Sequence, residues 1–246
     1  MKAHRHHPAT EDDPTGRSVS TIRIDGMAVD SSPLPRNMVI ITDWSNIDRL
    51  ADPTKNLLLY PWLPSASLQQ AIVTRPFAEL PQMALPLPKD KLAGAATMVE
   101  DDLARRLLEE CAPALAAFAS IAPAGNLYLS LRKTREQSCP LFHVDRYPLR
   151  LLCTLRGPGT EWLDDEQVNR KGLGQGDNRK VAPPHATVYA AQPFQILVLK
   201  GDGGCGTSRG VVHRSPIVPA SSDGRWYLRI DPLPTTRPMV REWSRL

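Results

Sequence analysis

The stretch CPLFHVDRYPLRLLCTLRGPGTEWL, Cys139 to Leu163, places His143 and Asp145 two positions apart in a segment of strand-like composition. Side chains on a strand alternate between faces with a period of two. His143 and Asp145 are therefore expected to point the same way, while Phe142 and Val144 turn toward a core. An imidazole nitrogen beside a carboxylate oxygen suits a divalent metal, and a third ligand must come from elsewhere. His213, 68 residues after Asp145 in the apolar-flanked GVVHRSP, is the candidate. Two histidines and one carboxylate make a facial triad that leaves coordination positions open, the donor set of non-haem Fe(II) sites. The three ligating atoms are expected within about 3 to 5 Å of one another, because metal–ligand bonds near 2 Å set the scale. The bland alternatives are a hydrogen-bonded His–Asp pair at a sheet rim and a satisfied core histidine.

The segment RWYLRID adds Arg229, on the same strand face as Tyr227 and Asp231. A guanidinium can grip a carboxylate with two parallel hydrogen bonds, and Tyr227 can share that grip. A structural salt bridge to Asp231 is the competing role for Arg229. Taken together, His143, Asp145, His213 and Arg229 resemble the HxD…H…R pattern of Fe(II)/2-oxoglutarate-dependent oxygenases. That resemblance implies Fe(II) and 2-oxoglutarate, with Arg229 and Tyr227 holding the cosubstrate. Two features depart from the pattern. The gap from His213 to Arg229 is longer than usual, and no Ser stands two residues after Arg229. Arg225 lies further toward the turn, and Arg214 is expected on the strand face opposite His213. Glu161 is the nearby carboxylate that could serve as a general base if the metal were Zn(II) and the chemistry hydrolytic. Cys139 shares the side-chain parity of His143, and His185 belongs to a loop end.

The elements that must carry these residues are legible in outline. NMVIITDW, KNLLLYPW, NLYLSLRK, PLFHVDRY, LRLLCTLR, ATVYAAQPFQILVLKGD, CGTSRGVVHRSPIV and RWYLRIDPL read as strands from their β-branched and apolar content. SASLQQAIVTRPF has helical spacing after serine caps. TMVEDDLARRLLEECAPALAAFASIA is the clearest helix, with a capping box at Thr97 and Glu100 and a kink or break expected at Pro113. AELPQMALPLPKDK is expected to be a loop, and the polar GTEWLDDEQVNRKGLGQGDNRK a loop or lid. The expected fold is α+β: a double-stranded β-helix of jelly-roll or cupin type with N-terminal helices packed on it. Residues 1–20 read as a disordered polar tail and 21–246 as one domain, mixed and helical over 21–125 and antiparallel β over 126–246.

Bulk properties exclude some classes. The net charge is +4, but Lys and Arg are interleaved with Asp and Glu, so nucleic acid is not an expected partner. The chain contains no apolar run long enough to cross a bilayer and no apolar segment near residue 1. With four cysteines outside any CxxC pair, the expected location is the cytoplasm, with reduced thiols. GDGGCG, around Cys205, lacks the Lys-Ser/Thr of a phosphate loop, and no GxSxG elbow supports a serine hydrolase. His4, His6 and His7 fall in the polar tail.

Three blocks carry a family resemblance: CPLFHVDRYPLRLLCTLRGPGTEWLDDEQVNR, ILVLKGDGGCGTSRGVVHRSP with LRID, and KNLLLYPWLP. They resemble the bacterial family called domain of unknown function 1826, over roughly residues 37 to 232. The resemblance implies a link to zinc homeostasis and to metal chaperones, and it supplies no activity. The reading is therefore a protein that binds one divalent metal, Fe(II) by preference and Zn(II) as the rival, on His143, Asp145 and His213. The favoured function is an Fe(II)/2-oxoglutarate-type oxygenase on an unknown small-molecule or protein substrate. The alternatives are a non-catalytic metal-handling protein and a zinc-dependent hydrolase.

Overall fold

The computed structural model describes residues 34–203 and 209–233, together with the strand backbone at 19–21, 23–25 and 28–30. In chain order the elements are β1 (Val19–Thr21), β2 (Arg23–Asp25), β3 (Ala28–Asp30), β4 (Met38–Ile40), β5 (Leu57–Pro61), α1 (Ala66–Thr74), β6 (Met83–Pro88), α2 (Asp102–Ile121), β7 (Asn126–Thr134), β8 (Leu149–Arg156), β9 (Glu161–Leu163), α3 (Asn178–Val181), β10 (Val188–Ala190), β11 (Gln195–Lys200), β12 (His213–Arg214) and β13 (Arg225–Pro232). The larger sheet has the order β4-β5-β11-β8-β13-β7-β6, and a smaller one runs β1-β10-β9-β12.

The sequence pattern explains the layering. LRLLCTLR (β8) and QILVLK (β11) are apolar almost throughout because both of their faces are covered. Leu151, Cys153, Ile196, Val198, Leu228 and Ile230 join Leu107, Leu115 and Phe118 of α2 in one buried cluster. The opposite face of the same strands sends Leu152, Leu197 and Leu199 against Trp162 and Tyr189 of the smaller sheet. Burying a side chain such as Leu or Phe is worth about 1.5–3 kcal/mol, so the two clusters fix the order helices, large sheet, small sheet. On the far side of the small sheet, Leu163, Val188 and Val212 pack with Phe142 and Val181. The fold is α+β with two sheets facing each other across an apolar layer.

Several expectations change. The capping box at Thr97 is not formed. Thr97 donates to the Gly94 carbonyl at 2.9 Å inside a 3-10 segment, Lys89–Met98, and α2 starts later. Asp101 is its cap, accepting from the Ala104 amide at 2.9 Å. Pro113 neither splits nor ends α2. It lies on the exposed side with Glu109, so the carbonyl it leaves unbonded is not trapped in the core. ALPLP is an edge strand, β6, rather than a loop. Proline is tolerated at a sheet edge, where no neighbour needs its missing N–H. The polar stretch after Gly159 begins with a strand, β9. Two strand pairs are parallel, β4 with β5 and β1 with β10. The large sheet also takes β4, β5 and β6 from the mixed N-terminal part. The polar tail lies outside the described residues as far as residue 18, as do Cys205 and most of its glycine-rich loop.

Candidate metal centre

His143 and Asp145 do not sit on a regular strand. Only His143 pairs, in an isolated antiparallel bridge with His213. The His143 amide donates to the His213 carbonyl at 2.9 Å, and the His213 amide donates back at 3.0 Å. This reciprocal pair ties the two histidines across the backbone, and their ring centroids are 4.5 Å apart. β12 in turn pairs with β9, His213 against Trp162. Asp145 is held by its own backbone: its carbonyl accepts from the Asp202 amide at 2.8 Å, at the end of β11. Gly201 makes that approach possible, since a Cβ there would collide with the carbonyls of Tyr147 and Asp145. The alternation expected of a strand survives in this loop. Phe142 and Val144 face the apolar layer outside the small sheet, and His143 and Asp145 turn the other way.

One ligating atom from each of His143, Asp145 and His213 lies within 4.8 Å of the others, inside the range expected from the sequence. The Asp145 Oδ1 is 3.9 Å from His143 Nε2, and its Oδ2 is 3.5 Å from His213 Nε2. Both imidazoles turn Nδ1 toward a main-chain carbonyl, Leu141 at 2.9 Å and Val211 at 3.2 Å. A proton on each Nδ1 satisfies those contacts and leaves the Nε2 lone pairs facing Asp145. Asp145 Oδ2 is buried and accepts no hydrogen bond among the described residues. A buried acceptor left without a donor costs about 1–3 kcal/mol. A divalent cation between the three side chains would satisfy that oxygen and both Nε2 atoms, so the residues fit such an ion.

The charges around the site support the same state. Burial lowers His213 to about 4, and neighbouring His143 and Arg150 act in the same direction against Asp145. His213 is therefore neutral at pH 7, the form that ligates metal. Burial alone would raise the Asp145 carboxyl, but His213, Arg150, His143 and Arg229 outweigh it and hold the group below its ordinary value. Arg150 bridges two acids, reaching Asp145 Oδ1 at 2.6 Å through Nη1 and Asp231 Oδ1 at 2.5 Å through Nε. Arg150 thus orients Asp145 through Oδ1 and leaves Oδ2 facing His213.

The remaining candidates fall around the same recess. Arg229 and Tyr227 line it, with Cys139 and Arg214. Arg229 Nε lies 3.0 Å from Asp231 Oδ2, so the structural pairing weighed against a clamp is present. Glu161 is buried and receives Arg214 Nε at 2.6 Å. Arg214 also lies over the Phe142 ring, 4.5 Å from its centroid. His185 stands in an exposed loop. Sequence reasoning passed over Arg225. The residue is 4 % exposed, and its guanidinium donates to the Thr154 and Thr160 hydroxyls at 3.1 and 2.7 Å and lies over the Tyr227 ring at 4.6 Å. Among the described residues no carboxylate pairs with it. Burial pushes its pKa down to about 10, with Tyr227 and Glu161 opposing. It lines the metal recess. The signal was available: Arg225 follows His213 by 12 residues, a shorter gap than the 16 to Arg229.

Residues 42–231 match the family described as "Protein of unknown function (DUF1826)". The chain belongs to this family. The matched stretch contains the three candidate ligands and Arg225. No curated protein matches the chain by sequence. Solved structures similar to it include a dioxygenase for auxin oxidation from rice, at 14% identity and a TM-score of 0.45, covering 77% of this chain and 78% of that one. They also include full-length T7H of Neurospora crassa in complex with alpha-KG, at 11% identity and a TM-score of 0.44, with coverage of 85% and 88%. HygX of Streptomyces hygroscopicus, with nickel and 2-oxoglutarate bound, is similar at 9% identity and a TM-score of 0.38, with coverage of 72% and 82%. Among the described residues no helix is long and apolar enough to cross a membrane.

Proposed function

We propose that the protein is a non-haem Fe(II) oxygenase that uses 2-oxoglutarate, built on a double-stranded β-helix core, with His143, Asp145 and His213 as metal ligands. The observation that carries this reading is the convergence of the His143 and His213 Nε2 atoms on the buried Asp145 carboxylate, whose Oδ2 has no donor among the described residues. A His₂-carboxylate set leaves open the positions that a chelating cosubstrate and O2 need. A ferrous ion held there would supply O2 activation, with 2-oxoglutarate as the co-reductant.

The chain's own part is to bind and orient. In this reading the cosubstrate carboxylate is anchored by Arg225, a buried cation in the same recess that has two hydroxyls and a ring for company and, among the described residues, no acid. Tyr227 holds the guanidinium plane, and Thr154 and Thr160 fix its rotamer. Arg229, whose charge is met by Asp231, positions the Arg150–Asp231 pair behind Asp145. The same three ligands also suit Zn(II), and metal handling linked to zinc supply is the rival class. Hydrolysis has less support, because the general base it needs, Glu161, is already bound to Arg214.

The test is anaerobic. Fe(II) protein titrated with 2-oxoglutarate should develop a metal-to-ligand charge-transfer absorbance, and exposure to O2 should then yield succinate. Metal binding with no such band and no succinate would move the assignment to metal handling.

A further inference from the structure

Residues 164–182, the polar stretch after β9, fold as a strap across the back of the metal site. Val168, Leu173 and Val181 of the strap pack with Phe142, Val144 and Val212. Those three are chain neighbours of the candidate ligands. Phe142 and Val144 flank His143, Val144 precedes Asp145, and Val212 precedes His213. The strap thus presses on the segments that carry the ligands without touching the ligands' own side of the small sheet.

Two polar arms reach out from it. Asn178, at the start of α3, uses both ends of its amide. Its Oδ1 accepts from the Phe142 amide at 2.7 Å, and its Nδ2 donates to the Pro140 carbonyl at 2.9 Å. Between those two residues lies Leu141, whose carbonyl meets Nδ1 of the His143 ring. Arg170 reaches the other histidine segment. Its Nη2 donates to Asp165 Oδ1 and to the Gly210 carbonyl, each at 2.7 Å. The next carbonyl along, that of Val211, meets Nδ1 of the His213 ring. Asn56 steadies the same end, donating to Asp165 Oδ2 and to the Arg209 carbonyl, each at 3.0 Å. The two arms belong to one body. The Asn169 amide donates to the Val181 carbonyl at 2.8 Å, and its side chain to the Lys180 carbonyl at 2.9 Å.

A working site needs its side chains held to within about 0.5 Å. The backbone pairing around His143 is a single bridge and not a ladder, so it leaves that precision to other contacts. Each arm grips the main chain next to the carbonyl that orients one ring. We infer that Asn178 and Arg170 are positioning residues, one for each histidine, and that the strap sets how the two imidazoles face each other. Neither is a ligand. That the rings are held for a metal rests on the metal reading of the site; that the arms orient the rings does not.

The experiment uses the full-length protein and the variants Asn178→Ala and Arg170→Gln. In the metal-free proteins at neutral pH, proton–nitrogen NMR of the imidazoles reads each ring separately. Asn178→Ala should move the His143 ring signals more than those of His213, and Arg170→Gln should do the reverse. General loosening of the fold would move both rings alike. Calorimetric titration with Mn(II) should show each variant binding at least about tenfold more weakly, the lower end of the range for residues that orient a metal's ligands. Arg36→Ala, which removes an exposed ion pair with Glu166 of the same strap, should keep the wild-type affinity. Asn178→Asp and Arg170→Lys, which can each keep one of the two contacts, replace a variant that fails to fold and should show the same ring selectivity. Ring signals that stay in place or move alike in both histidines, or wild-type Mn(II) affinity in either arm's variant, overturns the inference. Failure of the wild type to bind Mn(II) counts against the metal reading, and the ring signals then decide the inference alone.

Discussion

At the residue scale, function turns on which arginine is already answered by an acid. Arg150 is shared between Asp145 and Asp231, Arg214 takes Glu161, and Arg229 meets Asp231. Arg225 is buried against two threonine hydroxyls and a tyrosine ring. Lysine cannot reproduce the guanidinium fork. Arg225→Lys should therefore weaken 2-oxoglutarate binding to the anaerobic Fe(II) protein by about 1.5–3 kcal/mol, roughly 10- to 100-fold, with Fe(II) affinity retained. Arg229→Lys should instead lower the melting temperature and leave 2-oxoglutarate affinity within about twofold. The reverse pattern would return the anchoring role to Arg229. Sequence spacing singled out the three candidate ligands because a histidine and an aspartate at i and i+2 of an extended segment share a face. It could not rank the arginines, because whether an arginine is paired depends on acids distant in the chain. Arg150 and Asp231 are 81 residues apart.

At the element scale, the strands most legible in the sequence include β5, β8, β11 and β13, whose apolar content reflects burial on both faces, and β7, whose alternation of leucine with polar residues reflects burial on one. The misread segments are those where local chemistry and long-range pairing disagree. β6 contains two prolines and pairs only as an edge. The His143 loop is aligned by a single bridge rather than a ladder. Such a loop depends on close backbone approach, and Gly201 provides it by leaving room for the Tyr147 and Asp145 carbonyls. Gly201→Ala should push Asp145 away from the histidines. The expected result is at least about tenfold weaker Mn(II) binding together with a loss of stability of about 1–3 kcal/mol, typical of overpacking. An alanine variant with wild-type Mn(II) affinity would show that the loop is positioned by other contacts. Gly157, at φ +86°, is constrained in a different way, by a left-handed backbone conformation that disfavours a side chain.

At the scale of the whole molecule, the layered fold buries a candidate metal site whose titratable groups make stability depend on pH. His213 is held near 4 in the folded protein, against 6.5 as its ordinary value. Between those values the unfolded chain takes up a proton that the folded protein refuses. Stability of the metal-free protein should therefore be greatest above about pH 6.5 and fall as pH drops toward 4, by up to about 3 kcal/mol. The lowered Asp145 carboxyl acts with the same sign, since its contribution is present above the ordinary carboxylate range and is lost as acid protonates it. Urea unfolding across pH 4 to 7.5 reads this directly, and His213→Gln should flatten the slope. The most direct test of the central claim is anaerobic titration of Fe(II) or Mn(II) into wild type, Asp145→Ala and His213→Ala, followed calorimetrically. One ion per chain in wild type and none at comparable affinity in either folded variant is the predicted result. Undiminished binding in both variants would place the metal elsewhere and contradict the account.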